Sequence, residues 1–105
     1  MRTKTERIIE HVLTKVSFGG PKHVLIGPPR AAGRQRCRSL TVEGHALLDC
    51  SEIVANKLQK WIEQRAGSKT TYQGIVISVG KIEQVANGLR TKIAIIGPEK
   101  PHSSG

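Results

Sequence analysis

Four arginines, Arg30, Arg34, Arg36 and Arg38, lie within nine residues of this 105-residue chain, and no acidic residue stands among them. A guanidinium group can hold a phosphate through two parallel hydrogen bonds and can also stack on an exposed base. The cluster therefore predicts contact with a polyanion, and nucleic acid is the first candidate. The alternative is a charged segment that only faces water, since runs of charge usually do.

Positive charge is concentrated in the first part of the chain. The whole chain has 17 Lys+Arg against 8 Asp+Glu, a formal net charge of +9. Residues 1–42 contain nine of the basic residues and two of the acidic ones, whereas residues 43–105 contain eight and six. This excess indicates a negatively charged partner, and it says nothing about the fold.

The segment from Gly27 to Arg34 (GPPRAAGR) has the outline of a phosphate-binding P-loop but not its chemistry. Pro28 and Pro29 remove backbone donors from the part of the loop that should hold phosphate, and no Lys-Ser/Thr pair follows. We therefore expect no nucleotide hydrolysis at this segment.

Residue types that could bind zinc are present, but they lack the close paired spacings of zinc sites. We predict no metal and no cofactor; the residues in question are His23, Cys37, His45 and Cys50.

Acid and base types that a small nuclease would need are also present. Any short chain contains such residues, and their geometry decides whether they act together. We expect no catalytic residue among them; they are His11, His45, Asp49 and Glu52.

The length of the chain suits one domain, predicted over residues 1–97, with a flexible tail at 98–105. No apolar run reaches 18 residues, and the charged amphipathic N-terminus does not have the pattern of a signal peptide. These features predict a soluble intracellular protein, in the cytoplasm or the nucleus or nucleoid, with no membrane partner. Cys37 and Cys50 would then stay reduced.

Hydrophobic periodicity predicts the elements of the first half. Apolar residues at helical spacing indicate a helix over about residues 3–17. The apolar run at 23–26 is bounded by turn residues and predicts a short strand. Residues 28–38 have no periodicity and predict an exposed basic loop, and the alternation at 40–42 predicts a further strand.

In the second half, apolar residues from Leu47 to Ile62 fall on one helical face, and Gly67 is a suitable stop. Trp61 is the expected core anchor of this helix. Residues 72–85 and 89–96 then predict two strands of a hairpin that turns at Asn87-Gly88.

The register of this hairpin requires an irregularity. A loop at Asn87-Gly88 places Ile82 opposite Ile93, but the strict alternation of strands then turns the apolar residues of 75–79 outward. A β-bulge near Gly80 would return them to the core.

Three segments, LTVEGHALLDCSEIVANKL, ISVGK and KIAIIGPEK, resemble the Alba family over about residues 39–97. Members, including the Alba-like subunits of ribonuclease P and MRP, have a β-α-β-α-β-β fold and bind RNA or DNA, usually as homodimers or heterodimers. The resemblance implies nucleic-acid contact at Gly44 and His45 and along the basic hairpin from Lys81 to Lys92. The chain departs from the family in having a helix before the strand at 23–26.

Together these patterns predict an α+β protein in two layers, with helices packed on a mixed four-stranded sheet that ends in a β-hairpin. The expected function is non-catalytic binding of RNA or DNA, with RNA favoured, through the phosphate backbone and within a ribonucleoprotein or chromatin assembly. An adaptor that docks on an acidic protein is the alternative, and a metal-independent nuclease is a third. The predicted contact residues are Lys22, Arg30, Arg34, Arg36, Arg38, His45, Lys81, Arg90 and Lys92.

Overall fold

The computed structural model describes residues 3–16 and 20–98. Two helices, α1 (Lys4–Val16) and α2 (Glu52–Arg65), each precede a group of four strands. The strands are β1 (Lys22–Ile26), β2 (Arg30–Ala32), β3 (Gln35–Val42), β4 (His45–Ser51), β5 (Ser68–Tyr72), β6 (Ile75–Val79), β7 (Glu83–Val85) and β8 (Gly88–Pro98).

All eight strands belong to one sheet. The order is β2-β3-β1-β8-β6-β5, while β4 pairs with β3 and β7 pairs with β8. Every pairing among the described strands is antiparallel. The α+β class is thus confirmed, but an eight-stranded antiparallel sheet stands where a mixed four-stranded sheet was predicted. The order of elements also differs from the β-α-β-α-β-β implied by the family resemblance.

Both helices pack on the same face of the sheet and enclose one core. Burial of apolar side chains against each other provides most of the driving force for this arrangement. Neither of the described helices is long and apolar enough to cross a bilayer. The buried apolar residues are Ile9, Val12, Leu13, Val16, Val24, Ile26, Leu40, Val42, Ala55, Leu58, Ile62, Ile77, Val79 and Ile93.

The first helix and the first strand agree with the predictions within a residue or two. A capping box begins α1: the Glu6 amide donates to Thr3 Oγ1 at 3.1 Å, and the Thr3 amide donates to Glu6 Oε1 at 3.4 Å. The end of α2 also agrees, since Gly67, with a φ of 78°, follows two residues after Arg65.

The beginning of the second helix was predicted wrongly. Residues 45–51 form β4, which pairs with β3 and places Leu48 opposite Leu40. The turn between these strands is Glu43-Gly44, where both residues have positive φ angles of 50° and 79°, as a type I′ hairpin turn requires. The spacing of Leu47 and Leu48 also fits a helical period, but their pairing with β3 makes them part of a strand.

Ser51 marks the true start of α2 and supplies its N-cap. Its Oγ accepts a hydrogen bond from the Val54 amide at 3.3 Å. We expect Ser51→Ala to lower the free energy of unfolding by about 1 kcal/mol, because one amide of the first turn loses its partner. Urea unfolding followed by Trp61 emission would measure this. Ser78→Ala, whose hydroxyl has no hydrogen bond among the described residues, should change stability by less than about 0.5 kcal/mol.

The prediction of a loop at residues 28–38 was also wrong, because most of this basic segment is a β-hairpin. Residues Arg30–Ala32 and the first part of β3 form an antiparallel hairpin, with Arg30 opposite Cys37. Gly33, with a φ of 65°, and Arg34 make its turn. The sequence of this hairpin shows no alternation of apolar residues, because the described side chains near its turn face solvent. The hairpin forms because β3, which the core holds in place, extends beyond the core and pairs with β2.

The C-terminal strands are shorter and shifted relative to the prediction. Glu83 lies opposite Arg90 and Val85 opposite Gly88, so the turn is at residues 86–87. Ile93 lies opposite Val79, and the predicted Ile82–Ile93 pair is wrong. The strand is interrupted at residues 80–82, as expected near Gly80, and the Gly80 amide donates to the Lys92 carbonyl at 2.8 Å.

This interruption restores the inward direction of Ile77 and Val79, which are both buried. Pro98, predicted to begin the tail, is the last residue of β8. The remainder of the predicted tail lies outside the described residues.

Candidate functional site

The face of the sheet opposite the two helices, here called the open face, carries several of the predicted contact residues. On β1, Val24 and Ile26 point into the core, so His23 and Leu25 point to the open face. The register between β1 and β8 places His23 beside Lys92 and Leu25 beside Arg90. Two predicted cations therefore share this face.

One row of residues crosses five strands of the open face. Pairing joins Ala46 to Thr41, Thr41 to Leu25, Leu25 to Arg90, and Arg90 to Glu83. The residues beside this row mostly have small or hydroxyl-bearing side chains, so few side chains protrude from this part of the sheet. These neighbouring residues include Cys37, Ser39, Val76, Ser78 and Ala94.

Two arginines of the open face form exposed ion pairs. Arg30 Nη2 lies 2.7 Å from Asp49 Oδ2, and Arg90 Nη2 lies 2.8 Å from Glu83 Oε2. Hydrogen bonding from Arg90, followed by its charge, lowers the pKa of Glu83. Exposed pairs of this kind contribute little to stability, so an anionic ligand can compete for these arginines.

Two lysines give the open face an uncompensated positive charge. Lys92 is exposed on β8, and Lys69 is exposed on β5, opposite Ser78. Neither has an ion pair with any residue that the structure describes. Lys69 was not among the predicted contact residues, because its face becomes known only from the pairing of β5 with β6.

A shallow depression of about 270 Å³ lies on the open face beside the β3–β4 turn. His23, Asn87 and Arg90 are among its lining residues. Glu43, also in the lining, accepts a hydrogen bond from the His23 amide at 2.6 Å, and His23 Nδ1 lies 3.5 Å from the same carboxylate oxygen. The backbone hydrogen bond, more than any other effect, lowers the pKa of Glu43.

The arginine cluster is divided between different surroundings. Arg34 is exposed at the tip of the hairpin. Arg36 points to the helix side, where its Nε lies 3.4 Å from Glu52 Oε2. Strand alternation therefore places Arg30 and Arg36 on opposite faces, and the four arginines do not form one surface.

Arg38 is buried and does not lie where it could contact a phosphate, which corrects its predicted role. Only 7% of the residue is exposed. Its Nε donates to the Gly27 carbonyl at 2.7 Å, and its Nη1 donates to Asn56 Oδ1 and Gln59 Oε1 at 2.9 and 2.8 Å. The guanidinium thus ties β3 and the end of β1 to α2.

Three predicted residues lie away from the open face. Lys81 is exposed in the interruption between β6 and β7, near Gly67 at the end of α2. Lys22 and His45 line a second depression of about 290 Å³, together with Lys15 of α1. The structure therefore brings Lys22 and His45 together and separates both from Arg90 and Lys92.

The aromatic residues lie on the helix side. Trp61 packs against the core, as predicted, and meets Tyr72 edge to face with ring centroids 5.8 Å apart. Arg65 covers the Trp61 ring at 4.3 Å. Phe18, the third aromatic residue of the chain, lies outside the described residues, and the described part of the open face has no aromatic side chain.

The acid and base residues near β4 face different directions. Asp49 is bound to Arg30 on the open face, whereas Glu52 pairs with Arg36 on the helix side. Within residues 3–16 and 20–98, no three His, Cys, Asp or Glu side chains are grouped as metal ligands would be. Cys37 and Cys50 are both free thiols, on opposite faces of neighbouring strands, and burial raises the pKa of the Cys50 thiol.

Comparison with known proteins gives no relative: no family model matches the chain, and no curated protein and no solved structure is similar to it.

Proposed function

We propose that this protein is a non-catalytic nucleic-acid-binding protein that holds the phosphate backbone of RNA or DNA, with RNA the favoured ligand, on the open face. The observation that carries the proposal is a sheet surface that no described element covers, with Lys69, Arg90 and Lys92 on it. A strand spacing of about 4.8 Å makes the row from Ala46 to Glu83 about 19 Å wide. Such a surface is broad enough to follow a nucleic-acid strand.

The side chains of this surface favour contact with phosphates over contact with bases. Lysine and arginine supply donors and charge, and Ser39, Thr41 and Ser78 supply hydroxyl groups next to them. Stacking on aromatic rings, which holds bases in many single-strand-binding proteins, has no aromatic side chain to use on the described open face. Phosphate contacts orient the ligand and carry little sequence information, so binding should be largely independent of sequence.

The proposed contact set differs from the one predicted from the sequence. The proposed set keeps Arg30, Arg90 and Lys92 from the prediction. It also includes Arg34 at the hairpin tip and gains Lys69, which was not predicted. Arg38 is excluded because it is buried. Membership of a ribonucleoprotein assembly, a homodimer or heterodimer, and kinship with the Alba family belong to the same proposal. The short motifs of residues 39–97 support them, whereas the order of the elements departs from that of the family.

The test is the double substitution Lys69→Ala/Lys92→Ala. Neither lysine has an ion pair in the described structure, so their removal leaves no carboxylate without a partner. Binding of fluorescent single-stranded RNA should weaken at least about tenfold at 100 mM salt, and the slope of log K against log salt should fall by about 1.4, since each lost phosphate contact contributes about 0.7. Fluorescence anisotropy at several salt concentrations would measure both.

The matched control is Lys57→Ala/Lys60→Ala, which removes the same charge from exposed positions of α2 on the other side of the molecule. The proposal fails if the two double variants weaken binding equally, or if binding of the native chain does not respond to salt. Retention of an acidic protein partner after nuclease treatment, together with unchanged RNA affinity in the Lys69→Ala/Lys92→Ala variant, would favour the adaptor instead.

A further inference from the structure

The second depression, here called the Lys15 depression, lies between the end of α1 and the β3–β4 turn. It has a volume of about 290 Å³. Three separate elements contribute its basic side chains: Lys15 comes from α1, Lys22 from β1 and His45 from β4. The other described lining residues are Val42, Glu43, Ala46 and Leu47.

The basic side chains of this depression form no close ion pair with the described part of the chain. The side chains of Lys15, Lys22 and His45 form no salt bridge and no hydrogen bond with the described part of the chain. Glu43 is the one acid among the described lining residues; its carboxylate accepts a hydrogen bond from the His23 amide at 2.6 Å, and the charge of Lys22 is one of the effects that lower its pKa. Two lysines against one glutamate leave a net positive charge in a concave surface, and the imidazole of His45 adds a hydrogen-bonding group, so the depression suits an anion.

The depression also lies beside the proposed RNA surface. Glu43 lines both this depression and the one on the open face, so only the β3–β4 turn separates them. A strand that follows the open face past His23 would reach Lys22 and Lys15 by passing over Glu43 and Gly44. The ligand that suits both the charge and the location is a phosphate group at the end of such a strand.

We propose that the Lys15 depression binds a terminal phosphate, held by the ammonium groups of Lys15 and Lys22 and by the imidazole of His45. The inference rests on the proposed function, because the open face supplies the rest of the nucleic acid. Ammonium groups suit this role because they are compact donors that can approach a phosphate from different sides. A terminal phosphate carries more charge than the diester within a chain, and it can enter a depression that is bounded on one side by a turn.

The experiment compares three RNA oligonucleotides of one sequence, which carry a 5′-phosphate, a 3′-phosphate or only hydroxyl ends. One of the phosphorylated forms should bind about tenfold more tightly than the hydroxyl form, as two or three charge-assisted hydrogen bonds would give. Lys15→Ala/Lys22→Ala should remove this preference and leave the affinity for the hydroxyl form within about threefold of the native value. Lys57→Ala/Lys60→Ala should retain the preference.

Equal affinity of the native protein for all three oligonucleotides would overturn the terminal-phosphate site and leave the proposed RNA surface intact. So would a preference that survives in the Lys15→Ala/Lys22→Ala variant. Calorimetric titration with a nucleoside monophosphate distinguishes the source of the phosphate. Binding of the monophosphate that depends on Lys15 and Lys22, without binding of any oligonucleotide, would reject the RNA surface and assign the depression to a small phosphorylated molecule.

Discussion

Replacing Arg38 by methionine is expected to lower the free energy of unfolding by about 2–4 kcal/mol, the largest effect of any single arginine substitution in this chain. The residue is 7% exposed and donates three hydrogen bonds, to Gly27, Asn56 and Gln59. Methionine fills a similar volume but donates nothing, so the Gly27 carbonyl loses its side-chain partner and the link from β3 to α2 is broken. Relief of the buried charge offsets part of this loss.

Urea unfolding followed by the emission of Trp61, the one tryptophan of the chain, would measure the change. Arg38→Lys separates charge from geometry, because a single ammonium group cannot reproduce the fork of a guanidinium. We expect Arg38→Lys to lower the free energy of unfolding by most of the amount that Arg38→Met does. Arg34→Ala at the exposed hairpin tip is the control and should change stability by less than about 0.5 kcal/mol. An Arg38→Met variant as stable as the native protein would contradict the structural role.

Gly88→Ala is expected to destabilise the fold by about 3–5 kcal/mol, for two reasons that act together. Gly88 has a φ of 140°, a conformation that is essentially restricted to glycine. A Cβ at this position would also collide with the Ile26 carbonyl oxygen and stand 3.0 Å from the Gly27 Cα. Backbone atoms cannot move aside as a flexible side chain does, so the junction of β1 and β8 would have to open.

Gly74→Ala provides the matched comparison. Gly74 also has a positive φ, 80°, in the turn between β5 and β6, but a Cβ there would meet nothing within 4 Å. This change should cost only about 1 kcal/mol. Thermal unfolding monitored by circular dichroism would compare the two variants. Equal melting temperatures would show that the close approach of Gly88 to Ile26 is not a constraint on the fold.

Rules that depend only on nearby residues were sufficient to predict several elements of the fold. The helical period of Ile9, Val12, Leu13 and Val16 predicted α1, and Gly67 predicted the end of α2. The interruption near Gly80 followed from the requirement that the apolar residues of 75–79 face inward. In each case residues close in the sequence contain the whole signal, because helix periodicity, capping and strand alternation act over a few residues.

The errors arose where pairing with a neighbouring strand decides the conformation. Leu47 and Leu48 match the helical face predicted from Leu47 to Ile62, yet residues 45–51 are a strand because β3 lies beside them and Glu43-Gly44 can form a tight turn. The β2–β3 hairpin of the basic segment has no hydrophobic pattern that would predict it. It forms because β3, whose other end is buried in the core, extends into this segment. Local periodicity cannot separate these outcomes, since short apolar runs are compatible with both helix and strand.

The sequence by itself determined the positive charge of this protein, its shortage of aromatic residues and the presence of Arg30, Arg34, Arg36 and Arg38 in one short segment. Only the tertiary structure decided where that charge lies. Strand alternation and register send Arg30 to the open face, Arg36 to the helix side and Arg38 into the core, and the pairing of β5 with β6 adds Lys69 to the open face. The side of a sheet on which a residue lies depends on which strands pair and in what register, and these are set by the burial of the whole core.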